Sequence, residues 1–133
     1  MRGTPTRKGA GEMPKRILVV DDDEMVLMAL DELLKPEGYS VQTVSSGSEA
    51  LKKLDENGYD LLMFDVIMPE MDGFELCRRV RQKEKYKETP IVFLTAKSRD
   101  EDRARGLEAG ANLFLSKPIS PDRLIQIVSS ALG

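Results

Sequence analysis

The side chains with chemical potential in this chain are mostly carboxylates, and they come in separated groups. Asp21, Asp22 and Asp23 follow the apolar run ILVV at 17–20, and Asp65 follows LLMF at 61–64. Thr95 and Lys117 close two further apolar stretches. The chain has no histidine and a single cysteine, Cys77. That composition removes the commonest general base, every Ser-His-Asp or Cys-His arrangement, imidazole- or thiolate-rich metal centres and any internal disulfide. Carboxylates brought together without such partners repel, and one of them holds a proton at neutral pH unless a cation compensates. An all-oxygen donor set selects a hard divalent ion, Mg2+ or alternatively Mn2+, over Zn2+. Taken singly these residues are ordinary: an acidic triplet is usually a solvated turn, Asp65 a turn or capping residue, Thr95 and Lys117 surface groups. The triplet also lacks the alternating acids and the glycine of a calcium-binding EF-hand loop. Only the elements that carry these residues can bring them together.

From Lys15 onward, short apolar runs alternate with segments of helical spacing. The pattern predicts strands at Arg16–Asp21, Ser40–Val44, Asp60–Asp65, Ile91–Thr95 and Asn112–Ser116, and helices over 24–36, 47–56, 73–85, 99–109 and 121–132. ILVV, LLMF and IVFL are continuously apolar, as expected of strands covered on both faces. Ser46 with Glu49 fits a capping box, and Ser120 before Pro121 fits an N-cap followed by a first-turn proline. Gly38, Gly58 and Gly110 follow three helices, where a left-handed closing residue is expected. Strict alternation implies right-handed crossovers and an α/β, doubly wound parallel sheet with helices on both faces. Ligands in such folds sit at the carboxyl ends of the strands. Asp21, Asp22, Asp65, Thr95 and Lys117 all fall at that edge, so three carboxylates, a hydroxyl and an ammonium are expected to converge. With a divalent cation added, the site is near neutral and suited to a dianionic phosphoryl group.

Length and composition set the frame. A chain of 133 residues with 41% hydrophobic and 32% charged residues fits one domain with a real core. Residues 1–14, MRGTPTRKGAGEMP, have almost nothing to bury and are read as a flexible leader or cloning remnant, leaving 15–133 as the folded domain. The net charge is −3 and the basic residues form no nucleic-acid footprint, so no direct nucleic-acid contact is expected. No apolar run approaches the ~20 residues of a membrane span. One cysteine fits a reducing cytoplasm.

Four motifs, ILVVDDD at 17–23, DLLMFDVIMPEMDG at 60–73, PIVFLTA at 90–96 and GLEAGANLFLSKP at 106–118, resemble the response-regulator receiver domain, the phospho-acceptor module of two-component signalling. They occur in the family's order, and the resemblance covers residues 15–132. It implies a flavodoxin-like (βα)5 sandwich with strand order 2-1-3-4-5. It further implies that Asp65 accepts the phosphoryl group and that Asp21, Asp22, Asp65 and the backbone carbonyl of Ile67 hold Mg2+. Thr95 and Lys117 would contact the phosphoryl oxygens, Lys117–Pro118 would be cis, and Phe114 would be the aromatic that turns inward as Thr95 moves.

A carboxylate nucleophile is already ionised and needs no general base. The chain is therefore read as a signalling domain that catalyses only its own phosphorylation and dephosphorylation, not as an enzyme. The resemblance implies a phosphohistidine donor on a sensor histidine kinase or a histidine phosphotransfer protein. It also implies a changed helix 4/strand 5/helix 5 surface that controls a downstream protein, the domain being a monomer or a weak phosphorylation-dependent dimer. Two positions depart from common family usage. Phe114 stands where relatives often carry tyrosine, and Ile67 is apolar where a polar side chain often helps to orient hydrolytic water, so a long-lived phospho-form is expected.

Helix 1 is apolar all round between Met25 and Leu30. Val26, Leu30 and Leu33 are assigned to its inward stripe, and Met25, Leu27 and Met28 to a docking patch for the helices of a phosphodonor. The basic run from Arg78 to Lys87 is read as solvated, and Cys77 as core on the Phe74, Cys77, Val80 stripe. An aspartyl-phosphate phosphohydrolase would need an acid at Ile67, and a flavin carrier a Ser/Thr/Gly-rich loop after strand 1. A receiver-like interaction scaffold that is never phosphorylated stands as the alternative reading.

Overall fold

The structure, a computed structural model, describes residues 13–133, so the leader expected over 1–14 lies almost wholly outside the described residues. The elements run β1 (Arg16–Val20), α1 (Glu24–Leu34), β2 (Ser40–Val44), α2 (Gly47–Glu56), β3 (Leu61–Phe64), α3 (Gly73–Arg81), β4 (Ile91–Thr95), α4 (Asp100–Ala109), β5 (Leu113–Ser116) and α5 (Pro121–Leu132). The strands form one sheet in the order β2-β1-β3-β4-β5 with every pair parallel. This is the flavodoxin-like order that the resemblance implies.

Continuously apolar strands are explained by two cores, one on each face. Leu18, Val20, Leu62, Phe64, Ile91 and Phe93 face α2, α3 and α4 and pack with Ala50, Leu54, Phe74, Cys77 and Val80. Ile17, Val19, Leu61, Met63, Val92 and Leu94 face α1 and α5 and pack with Leu27, Leu30, Leu34, Leu124 and Val128. Successive strand residues point to opposite faces, so each run feeds both cores. Asp23, Ser46, Asp72 and Ser120 cap α1, α2, α3 and α5 by accepting first-turn N–H groups. Such a cap contributes about 1 kcal/mol.

Several expectations are corrected. Helices 24–36 and 73–85 are shorter, ending at Leu34 and Arg81 and continuing as 3-10 turns at Lys35–Glu37 and Glu84–Tyr86. Pro36 in the first and extended Lys83 before the second interrupt the α-helical ladder. Gly38 and Gly110 have φ of 98° and 114°, as expected, but Gly58 is not left-handed: α2 closes on extended Asn57. The Glu49 carboxylate accepts the Ser45 N–H at 3.0 Å, one residue before the cap. Leu27 belongs to the core with 4% of its surface exposed, while Val26 and Leu33 only flank it. The inward stripe is thus Leu27, Leu30 and Leu34, and an all-apolar segment carries no information on which way its helix faces. Met25 and Met28 are exposed, at 74% and 57%.

The basic run is not simply solvated. Arg78 and Arg79 pair with Glu75, and Lys83 pairs with Asp55. Arg81 is half-buried and ties together two connections, the one from α3 to β4 and the one from α4 to β5. Its guanidinium donates to the carbonyls of Gly110 at 2.9 Å, Tyr86 at 2.7 Å and Thr89 at 2.6 Å, and to the Asn112 side chain at 3.0 Å. Arg81→Met keeps the apolar stem and strands those acceptors. It is expected to cost about 2 kcal/mol of stability, read as a fall in the urea midpoint.

Candidate functional site

The strand ends are fastened to one another by the residues of the site. Asp21 donates its N–H to the Val44 carbonyl at 3.2 Å, Asp65 to Val20 at 3.0 Å and Lys117 to Thr95 at 2.9 Å. The sheet ladder, rather than a free loop, therefore fixes where these side chains start. On the far side of Asp65 the first turn of α3 presses in, with the Gly73 N–H on the Val66 carbonyl at 2.8 Å. A Cβ on residue 73 would lie 2.1 Å from the Asp65 carbonyl oxygen, so only glycine permits this approach.

Asp21, Asp22 and Asp65 each present a carboxylate oxygen, and these oxygens lie within 4.8 Å of one another. Asp21 and Asp65 are buried and Asp22 is exposed. Lys117 Nζ stands 2.9 Å from Asp21 Oδ2 and 3.3 Å from Asp65 Oδ2. The other oxygens of the buried pair accept backbone N–H groups, Asp21 from Asp23 at 2.9 Å and Asp65 from Val66 at 2.7 Å. Burial pushes the Asp21 pKa up, more than its hydrogen bonds to Lys117 and Asp23 pull it down, and the charge of Asp65 adds to the rise. Burial alone would lower the pKa of Lys117, but its bond to Asp21 and the charges of Asp65 and Asp21 outweigh this and raise it. One ammonium thus bridges the two buried carboxylates, and Asp22 adds a third negative charge beside them. The uncompensated charge and the all-oxygen donor set fit a hard divalent cation.

Thr95 is fully buried at the same edge, and its hydroxyl oxygen accepts the Lys97 N–H at 3.1 Å. Lys117–Pro118 is cis, as implied by the resemblance. Ile67 exposes 57% of its surface between buried Val66 and Met68.

The family model described as response regulator receiver domain matches residues 17–129. The chain belongs to the response regulator receiver domain family. Among curated relatives, the receiver is 45% identical over 109 residues to the alkaline phosphatase synthesis transcriptional regulatory protein PhoP of Bacillus subtilis, covering 82% of this chain and 45% of that protein. It is 40% identical to the transcriptional regulatory protein ResD of the same organism, covering 88% of this chain and 48% of that protein. The chain therefore spans about half the length of the curated relatives it matches. Among solved structures, a putative response regulator from Chloroflexus aurantiacus is 42% identical with a TM-score of 0.86, covering 90% of this chain and 98% of that one. The receiver domain of the sensor histidine kinase PA1611 from Pseudomonas aeruginosa is 30% identical with a TM-score of 0.84, covering 91% of this chain and 99% of that one. That structure is described with a magnesium ion coordinated in its active site cleft.

Three features of the receiver are not legible in its sequence. Phe114 is already inward, packed 5.6 Å from Phe93, and a Cβ on Gly106 would lie 2.7 Å from its ring. Arg103 fastens α4 to β5 by donating to the Phe114 carbonyl at 2.9 Å and the Ser116 hydroxyl at 3.0 Å, with its guanidinium 5.5 Å from the Phe114 ring centre. Nothing in the sequence separates Arg103 from Arg99 or Arg105. Asp102 is a buried carboxylate that accepts the Arg99 N–H at 3.1 Å and lies 3.7 Å from Lys97 Nζ.

Crowded like charge gives a metal-free prediction. Asp22→Asn removes one repelling charge at an exposed position and is expected to raise metal-free stability by about 0.5 kcal/mol. Mg2+ at ten times its dissociation constant should stabilise the wild type by about 1.4 kcal/mol and the variant by much less. Urea denaturation with and without Mg2+ reads both effects.

Proposed function

We propose that this receiver accepts a phosphoryl group from a phosphohistidine donor onto Asp65 in a Mg2+-dependent reaction, with Asp21, Asp22, Asp65 and the Ile67 carbonyl holding the ion. The observation that carries this reading is the placement of Asp65 against Asp21 and Asp22 with Lys117 across both buried carboxylates. An Asp65 oxygen forms the new bond to phosphorus while the donor's P–N bond breaks and its imidazole keeps the electron pair. In this reading Lys117 exchanges its carboxylate partners for phosphoryl oxygens, and the Thr95 hydroxyl turns from Lys97 toward the incoming group. Mg2+, when bound, offsets charge on the acceptor and the transferring group, which is most of what phosphoryl transfer requires of a protein.

The output surface in this reading is α4–β5–α5. Among α4 residues, Asp102, Gly106 and Ala109 are buried, none of them a large apolar side chain. A helix with so little apolar burial shifts at small free-energy cost. Movement of Thr95 would bias the Arg103 and Phe114 contacts between α4 and β5 toward a second arrangement. The donor would be a sensor histidine kinase or phosphotransfer protein docking over exposed Met25 and Met28, in the cytoplasm. The intramolecular pairing of Arg78, Arg79 and Lys83 supports a protein rather than a nucleic acid as the direct target of this domain.

Incubation with acetyl phosphate followed by intact-protein mass spectrometry tests the chemistry. One phosphoryl adduct that requires Mg2+ and disappears in Asp65→Ala is the expected result. A folded protein that gains no adduct and shows no change with beryllofluoride would instead be an interaction scaffold. Lifetime gives a second test, because Ile67 offers hydrolytic water no polar partner. Ile67→Asn is expected to shorten the phospho-form half-life severalfold, less than a general base would, because an amide orients water without taking its proton. An unchanged decay rate rejects that role for position 67.

A further inference from the structure

The loop between β3 and α3 carries the Ile67 carbonyl, and its far arm is held in an unusual way. Glu70 has φ of 70°, a left-handed conformation uncommon for a residue with a side chain. The Met71 N–H folds back onto the Pro69 carbonyl at 2.8 Å. Such a kink persists only when its surroundings enforce it. Directly after the kink, Met71 lies on Gly47, the first residue of α2. A Cβ added to Gly47 would lie 2.9 Å from Met71 Sδ and 3.2 and 3.3 Å from its Cβ and Cγ, so the whole side chain, not just its tip, lies along the glycine. Met71 packs against the core that also takes Val66 and Met68.

This contact closes a ring around the acidic site. Asp21 is bonded to Val44 at the end of β2, three residues before Gly47. Gly47 carries Met71, Met71 ends the kinked loop, and the loop leads back through Val66 to Asp65. The two strand ends that supply the carboxylates are thereby braced against each other from outside the sheet.

We infer that Met71, seated on Gly47, is a positioning residue for the cation site, setting the β3–α3 loop so that its carbonyl and Asp65 face Asp21 and Asp22 at metal-binding separation. The inference rests on the Mg2+ reading given under Proposed function. Residues that orient a metal's ligands without touching it typically change affinity by about tenfold or more when removed.

Mg2+ titration followed by backbone amide shifts at residues 21–23 and 65–67 of the full chain, alongside urea denaturation, tests it. Met71→Ala is expected to weaken Mg2+ binding by about tenfold, and Met71→Leu, which refills the seat, to restore most of it. Gly47→Ala keeps every atom of Met71 but displaces it, and is expected to weaken binding even though alanine is the better helix former. A purely structural role would lower the urea midpoint of Met71→Ala and leave the Mg2+ constant unchanged in Met71→Ala and Gly47→Ala. That result, with wild-type binding abolished by Asp22→Asn, overturns this inference alone. Wild-type protein that binds no Mg2+, or binding that survives Asp22→Asn, overturns the proposed function and this inference with it.

Discussion

Three carboxylates held together at one edge of a sheet, the buried two sharing a single ammonium, is the arrangement on which the rest of this structure depends. In water these acids would separate. Here Asp21 and Asp65 are buried and lie with Asp22 inside 4.8 Å, so repulsion and desolvation act against the fold at this point. The cost shows in the raised pKa of Asp21, which burial produces and Lys117 only partly relieves. A site of this kind persists only where its surroundings fix the backbone more firmly than the charges push it apart.

Those surroundings are the two cores. Every central strand is covered on both faces, and the site residues donate the backbone bonds that close the ends of the strand pairs. Moving Asp21 or Asp65 away from its neighbours would break a ladder bond and disturb a packed layer. Charge is concentrated where the backbone is least free to yield, which leaves a cation as the way to relieve it. The differential stability that ligand binding can exploit is therefore present before any ligand arrives.

The contrast between the sides of the site is equally physical. Around Asp65, Gly73 and Gly47 admit contacts too close for a side chain, so α3 and the β3–α3 loop are tightly seated. Beyond Thr95 the attachment is lighter: α4 buries small residues and a capped carboxylate, and is held to β5 by Arg103. A disturbance at the strand ends meets resistance on the first side and compliance on the second. That asymmetry supports α4 and β5 as the surface that changes.

The sequence alone determined the alternation of elements, the parallel sheet and the edge at which the acids, Thr95 and Lys117 gather. These follow from local information, since apolar runs, caps and glycines report the period and ends of each element wherever it packs. Four ordered motifs also carried the family, and with it the strand order. What the sequence left open was phase and partnership. Apolar all round, the start of α1 could not reveal that Leu27 faces the core and Met28 the solvent. Arg81 looked like one of several solvated cations until two connections brought their carbonyls to it, and Gly58 looked like Gly38 and Gly110 until its backbone angles were known. Met71 on Gly47 and Arg103 on β5 join residues separated by 24 and by 11 to 13 positions. Contacts between elements are set by how they pack in three dimensions, and no local pattern in the chain encodes that geometry.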